Sequence, residues 1–157
     1  MDKQQAPKGK TPTWPSISRS AASSPAGGDK QTHKGKFGTA INCMDGRVQL
    51  PVIDWLKKNY SLDYVDMITE PGPDKLLTQG TTEQRDSIKA RVLISVKAHG
   101  SDTILIAGHY DCAGNPVAEQ EHRRQIVESI NVVRSWNLPV KRIVGAWINS
   151  DWTLEVI

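Results

Sequence analysis

Thr103-Ile-Leu-Ile-Ala107, followed at once by Gly108-His109-Tyr-Asp-Cys112, is the stretch that decides the fold of this chain. From Ile104 to Ala107 it is apolar without alternation. A strand with one wet face alternates, whereas a continuous run marks a strand buried on both faces, as in a parallel sheet. Outward from there, Phe37-Gly-Thr-Ala-Ile-Asn42 reads as a second buried strand, with Cys43 just after it. Tyr64–Ile68 and Arg142–Ile148 read as two more strands, and Trp152–Ile157 as a short last one.

The segments between them show helical spacing. Val52, Ile53, Leu56 and Tyr60 fall on one side of a helix over 50–60, with Pro51 in a first-turn position. Glu70-Pro-Gly-Pro-Asp74 is turn punctuation. Thr81 with Gln84 forms a capping box. The helix it opens repeats Ile88, Val92 and Val96 every fourth residue and stops at Gly100. Asn115-Pro116 reads as the cap and first-turn proline of a further helix, marked by Ile126, Ile130 and Val133 and ended near Asn137 and Pro139. The alternation of strand and helix predicts an α/β fold with a mostly parallel central β-sheet flanked by helices.

Residues 1–36 are of another kind. They are rich in Lys, Ser, Pro, Gly and Gln and nearly free of periodic apolar residues, so they are expected to form a disordered basic leader ahead of a folded domain over 37–157. The leader holds seven Lys or Arg and two Asp. The chain as a whole is +3, so residues 37–157 carry −2. The basic character belongs to the leader, and a nucleic-acid partner, which needs a basic face on the fold, is not expected. No run of 18 apolar residues exists, so no membrane partner is expected either. With no apolar core of a secretion signal, the two cysteines are expected as free thiols or metal ligands in a cytoplasmic protein.

In an α/β sheet, ligands bind beyond the carboxyl ends of the strands. Cys43 follows the first strand, and His109 and Cys112 follow the strand at 103–107. If those strands are neighbours, the three side chains converge. Two thiolates and one imidazole suit zinc. Three protein ligands leave a fourth position for water, the catalytic pattern, whereas structural sites are closed by four. Asp45, two residues from Cys43, either accepts a hydrogen bond from that water or fills the fourth position itself. Arg47 is placed to hold Asp45 in a charge-assisted pair.

Cys43-Met-Asp45-Gly-Arg47 followed by Gly108-His109-Tyr-Asp-Cys112-Ala-Gly114 resembles the β-carbonic anhydrases, whose pattern is Cys-x-Asp-x-Arg and then His-x-x-Cys. The resemblance runs over about residues 37–157 and includes Val144-Gly-Ala-Trp147. It implies a zinc lyase that reversibly hydrates carbon dioxide to bicarbonate through a zinc-bound hydroxide. Cys43, His109 and Cys112 are then the metal ligands, Asp45 and Arg47 the catalytic dyad, and a homodimer or higher homo-oligomer the assembled form. Two departures stand out. Thr69-Glu-Pro-Gly-Pro73 lies where the family usually has Arg-Asn-Ala-Gly, and Gly46 replaces a common Ser. Family members with the same zinc set that hydrolyse carbon disulfide or carbonyl sulfide give one alternative function. A non-catalytic zinc sensor or assembly module gives another.

The remaining chemical side chains have plainer expected roles. His99 belongs in the last turn of a helix, where the dipole favours it. His122, in the charged run Glu119–Arg124, is expected to be structural, or a proton shuttle if it faces the cleft. Asp111 is a loop acid, or a residue supporting the metal ligands. Tyr110 either lines the pocket or meets a partner chain. Trp55, Trp136, Trp147 and Trp152 belong to the core or an interface.

Overall fold

A computed structural model describes residues 35–157; the expected leader lies, but for its last two residues, outside them. Five strands form one sheet: β1 (Phe37–Cys43), β2 (Tyr64–Glu70), β3 (Thr103–His109), β4 (Arg142–Ile148) and β5 (Leu154–Val156). The helices are α1 (Gly46–Tyr60), α2 (Pro73–Gln79), α3 (Thr82–Ala98) and α4 (Glu119–Ser135). The strand order is β2-β1-β3-β4-β5, with the first four parallel and β5 antiparallel. The mostly parallel α/β sheet read from the sequence is therefore observed.

β3 is buried along its whole length. Leu105 and Ala107 point into one core with Val48, Val52 and Leu56 of α1. Ile104 and Ile106 point into the other, with Ile41, Ile88, Val92 and Val133. α1 thus covers one face, and α3 and α4 the other. Burying a Leu or Ile side chain contributes about 1.5–3 kcal/mol, so a strand apolar on both faces is stable only when covered twice.

After β1 the chain turns to β2 on one side, and after β2 it crosses back to β3 on the other, so the winding reverses between β1 and β3. The β1–β3 ladder pairs Thr39–Ile41 with Ile104–Ile106 and stops two residues short of Cys43. Its flanking ladders run to the strand ends, through Cys43↔Glu70 and His109↔Ile148. The strands splay where the topology switches, and the crevice opens between Cys43 and His109.

Several boundaries differ from those expected. α1 starts at Gly46 because the Asp45 carboxylate accepts from the Arg47 N–H and caps the helix. Pro51 therefore lies inside the helix, with no N–H to offer the Arg47 carbonyl. β2 runs on to Glu70, and the expected turn carries the short helix α2, entered through Gly72 at φ 63° and Pro73 at its first position. Asn115 does not cap α4. That helix starts at Glu119 after Ala118, which makes no side-chain cap, while Asn115 turns inward to buried acceptors. The Thr81–Gln84 capping box and the positive φ of Gly100 are present as expected. Among the described residues no helix is long and apolar enough to cross a membrane.

Candidate metal centre

Cys43 is the last residue of β1 and His109 the last of β3; Cys112 sits on the short loop after it. Adjacent parallel strands ending at the same edge bring the three together, all buried, with their donor atoms within 4.8 Å of one another. The sulfurs are 3.8 Å apart and unbridged, far beyond a disulfide bond. Two Zn–S bonds of about 2.3 Å in a tetrahedron place sulfurs about 3.8 Å apart.

The imidazole is oriented for the same purpose. His109 Nδ1 donates to the Tyr110 carbonyl at 2.8 Å, which leaves the lone pair on Nε2. Nε2 is buried and has no hydrogen-bond partner. A buried acceptor left unpaired beside two sulfurs is costly in a metal-free protein and is satisfied by a coordinated cation. The three side chains thus fit a zinc ion.

The electrostatics agree. Without metal, the Cys112 thiol donates to Cys43, so Cys43 lies far below the ordinary thiol range despite the opposing effect of burial. The same contact and burial push Cys112 well above that range. Burial pulls His109 down, but the negative Cys43 sulfur beside it outweighs that and the imidazole lies above its ordinary value. One proton is shared where a divalent cation would replace it.

Asp45 and Arg47 stand beside the sulfurs at the start of α1. Arg47 Nε contacts both carboxylate oxygens, at 3.0 and 3.1 Å, and Nη2 donates to Oδ2 at 2.7 Å. The side-chain and backbone N–H groups of Arg47 hold the Asp45 pKa down at about 2. Arg47 is fixed from two further sides: Nη1 donates to Asp111 Oδ2 at 3.3 Å, and the guanidinium lies 4.8 Å over the Trp152 ring. Asp111, at φ 55°, is thus an exposed loop acid that also pairs with Arg47. A cleft of about 450 Å³ reaches Cys112 past Tyr110, Pro116, Val117 and Trp147.

Other singled-out residues lie elsewhere. His122 is buried and bonded to Asp74, so it does not reach the cleft as a shuttle. His99 closes α3 and meets Asp66 at 2.7 Å. Glu70 pairs with Arg91. Reading the residues one by one missed the fit between two loops at the site, residues 71–73 and 112–115. The available signal was a glycine in each: a Cβ on Gly72 would come within 2.8 Å of Asn115 Cβ, and one on Gly114 within 2.5 Å of the Pro71 carbonyl carbon.

A mostly parallel α/β sheet with two thiols and an imidazole gathered at its switch point defines a protein with a group that could hold a metal ion. Residues 33–157 match the family described as "Putative carbonic anhydrase", and the chain belongs to that family. A solved structure, the β-carbonic anhydrase CafA of the fungal pathogen Aspergillus fumigatus, is similar over 78% of this chain and 74% of that chain, at 12% identity and a TM-score of 0.45. No curated protein matches the chain.

Proposed function

We propose that the protein is a zinc-dependent carbonic anhydrase, reversibly hydrating carbon dioxide to bicarbonate, with Zn²⁺ held by Cys43, His109 and Cys112. The observation that carries the reading is the unpartnered, buried Nε2 of His109 facing two sulfurs at zinc-binding separation. Zinc supplies Lewis acidity that brings the pKa of water toward neutrality. Two thiolates offset the metal's charge and weaken that effect, so a neighbouring hydrogen-bond acceptor matters more here than beside three neutral ligands.

Asp45 is that acceptor. Arg47 keeps it ionised at any working pH and fixes its oxygens, so it orients the attacking water and takes its hydrogen bond. Both oxygens are engaged by Arg47, which favours Asp45 as a hydrogen-bond partner of water over Asp45 as a metal ligand. Asp111 and Trp152 keep the guanidinium from swinging away.

The exposed Met44 and Tyr110, each next to a proposed ligand, suit an interface in a homodimer or larger homo-oligomer. Two free thiols suit a reducing, cytoplasmic setting. Stopped-flow measurement of carbon dioxide hydration, on protein shown to hold one zinc per chain, tests the reading. A zinc-dependent rate is expected. No rate from neutral to alkaline pH overturns it and leaves hydrolysis of carbon disulfide or carbonyl sulfide, then a non-catalytic zinc role, as the readings to assay.

A further inference from the structure

Asp74 is an acidic residue, yet it is fully buried. It is the second residue of α2, two after Gly72. Its Oδ2 accepts from Asn115 Nδ2 at 3.0 Å and from His122 Nδ1 at 2.5 Å. Asn115 Nδ2 also donates to Gln125 Oε1 at 2.6 Å, and the Asp74 carbonyl accepts from Ser129 Oγ at 3.3 Å. Asn115, His122, Gln125 and Ser129 are all at most 2% exposed. Gly108 of β3 makes the room, since a Cβ there would lie 3.1 Å from Asp74 Oδ2 and 3.3 Å from His122 Nδ1. Apolar packing of the same volume is commonly as stable as a buried polar or charged cluster or better, so stability alone does not account for this one.

Its location does. Asp74 begins the helix entered by the 71–73 loop, and Asn115 ends the loop that bears Cys112. Gly72 and Gly114 bring these loops backbone to backbone, closer than any Cβ would permit. Each loop is also tied beside a cysteine: the Asn115 N–H donates to the Cys112 carbonyl at 3.2 Å, and the Met44 N–H, next to Cys43, donates to the carbonyl of Glu70, just ahead of the 71–73 loop, at 3.1 Å. The contact that ties the two loops side chain to side chain is Asp74 to Asn115, with His122 of α4 bracing the carboxylate from behind.

We propose that Asp74, braced by His122 and bonded to Asn115, is a positioning residue that clamps the Gly72 and Cys112 loops together and so holds both sulfurs at metal-binding separation. The inference rests on the reading that Cys43, His109 and Cys112 bind zinc. It assigns to a buried acid that touches no metal the control of how firmly the metal is kept.

The test compares Asp74→Asn with Thr39→Val in the full chain. Thr39 anchors an equally buried cluster, to Ser95 at 2.7 Å and Ser101 at 2.8 Å, that belongs to neither loop. Zinc release to a chromogenic chelator, the thiolate-to-cobalt absorption band of the cobalt-substituted protein, and the thermal midpoint are measured for each. Asp74→Asn is expected to speed zinc release about 10- to 100-fold and to shift the cobalt band, the range seen when partners of ligands are altered. Thr39→Val is expected to lower the midpoint and change neither. If Asp74→Asn does not fold, Asn115→Ser breaks the same link from the other loop and is read in the same way. A variant that folds, keeps the parental zinc-release rate and shows an unshifted cobalt band overturns the proposal. Unaltered protein that takes up neither zinc nor cobalt overturns the metal-site reading itself, and this inference with it.

Discussion

Asp45 receives four hydrogen bonds on two oxygens, all from Arg47. One of them, from the backbone N–H, caps α1, so the residue serves the helix and the dyad at once. Asn preserves the cap, because its carbonyl oxygen accepts in the same way, but it is neutral and offers one acceptor oxygen in place of two, so it cannot orient the water as the carboxylate does. Asp45→Asn is therefore expected to leave zinc bound at one per chain and the thermal midpoint within a few degrees, while carbon dioxide hydration falls about 10²- to 10⁴-fold. Metal analysis beside stopped flow checks this. Loss of zinc instead would show Asp45 to be a fourth ligand.

At this scale the sequence is readable only in part. Cys43 and His109 could be placed because each closes an apolar run, and the end of a parallel strand is where α/β sites form. The grip of Asp111 on Arg47 could not, because it spans 64 residues and depends on a positive φ in a loop. Asp74 is hidden for a different reason: an acid in the first turn of a helix is ordinarily a solvated partner of the helix dipole.

Among elements, the strands were legible where burial on both faces leaves a run of apolar residues, and β4 matches its expected bounds residue for residue. α2 was not, since seven residues give too few turns for a period to emerge. Asn115 misled because its usual preference for capping lost to acceptors supplied by α2 and α4, distant in sequence. At the amino ends of β3 and β4, Lys141 Nζ donates to Asp102 Oδ2 at 2.6 Å, and the Lys141 and Arg142 N–H groups both donate to the Asp102 carbonyl. The ammonium favours the carboxylate, so the folded-state pKa of Asp102 lies below its unfolded value. Its contribution to stability is present above the unfolded value and is lost as pH falls through the lowered one. Urea midpoints measured from pH 7 down to about 3 are expected to decline less steeply in Lys141→Ala than in the parent. The difference is small, about 0.2–1 kcal/mol, as for exposed pairs in general.

For the whole molecule, the three proposed ligands are brought together only by the complete sheet, with 69 residues from Cys43 to Cys112. The unfolded chain holds no such site, so binding of zinc adds to the free energy of folding. At free zinc about a thousand times its dissociation constant the gain is about 4 kcal/mol. Removing zinc with a chelator is expected to lower the thermal midpoint by several degrees or more and readdition to restore it, whereas Cys43→Ser protein should respond to neither. Calorimetry with and without chelator decides it.

The reversal of winding at β1 also fixes an order of events during synthesis. β1 leaves the ribosome early and can pair at once with β2, its neighbour through α1. Its other edge must wait for β3, which is made only after α2 and α3. At about 5–20 residues per second, the delay between the two cysteines is several seconds. For that interval the Cys43 thiol is made but has no companion, so a metal held at the proposed site would be loaded on the late nascent chain or the released protein.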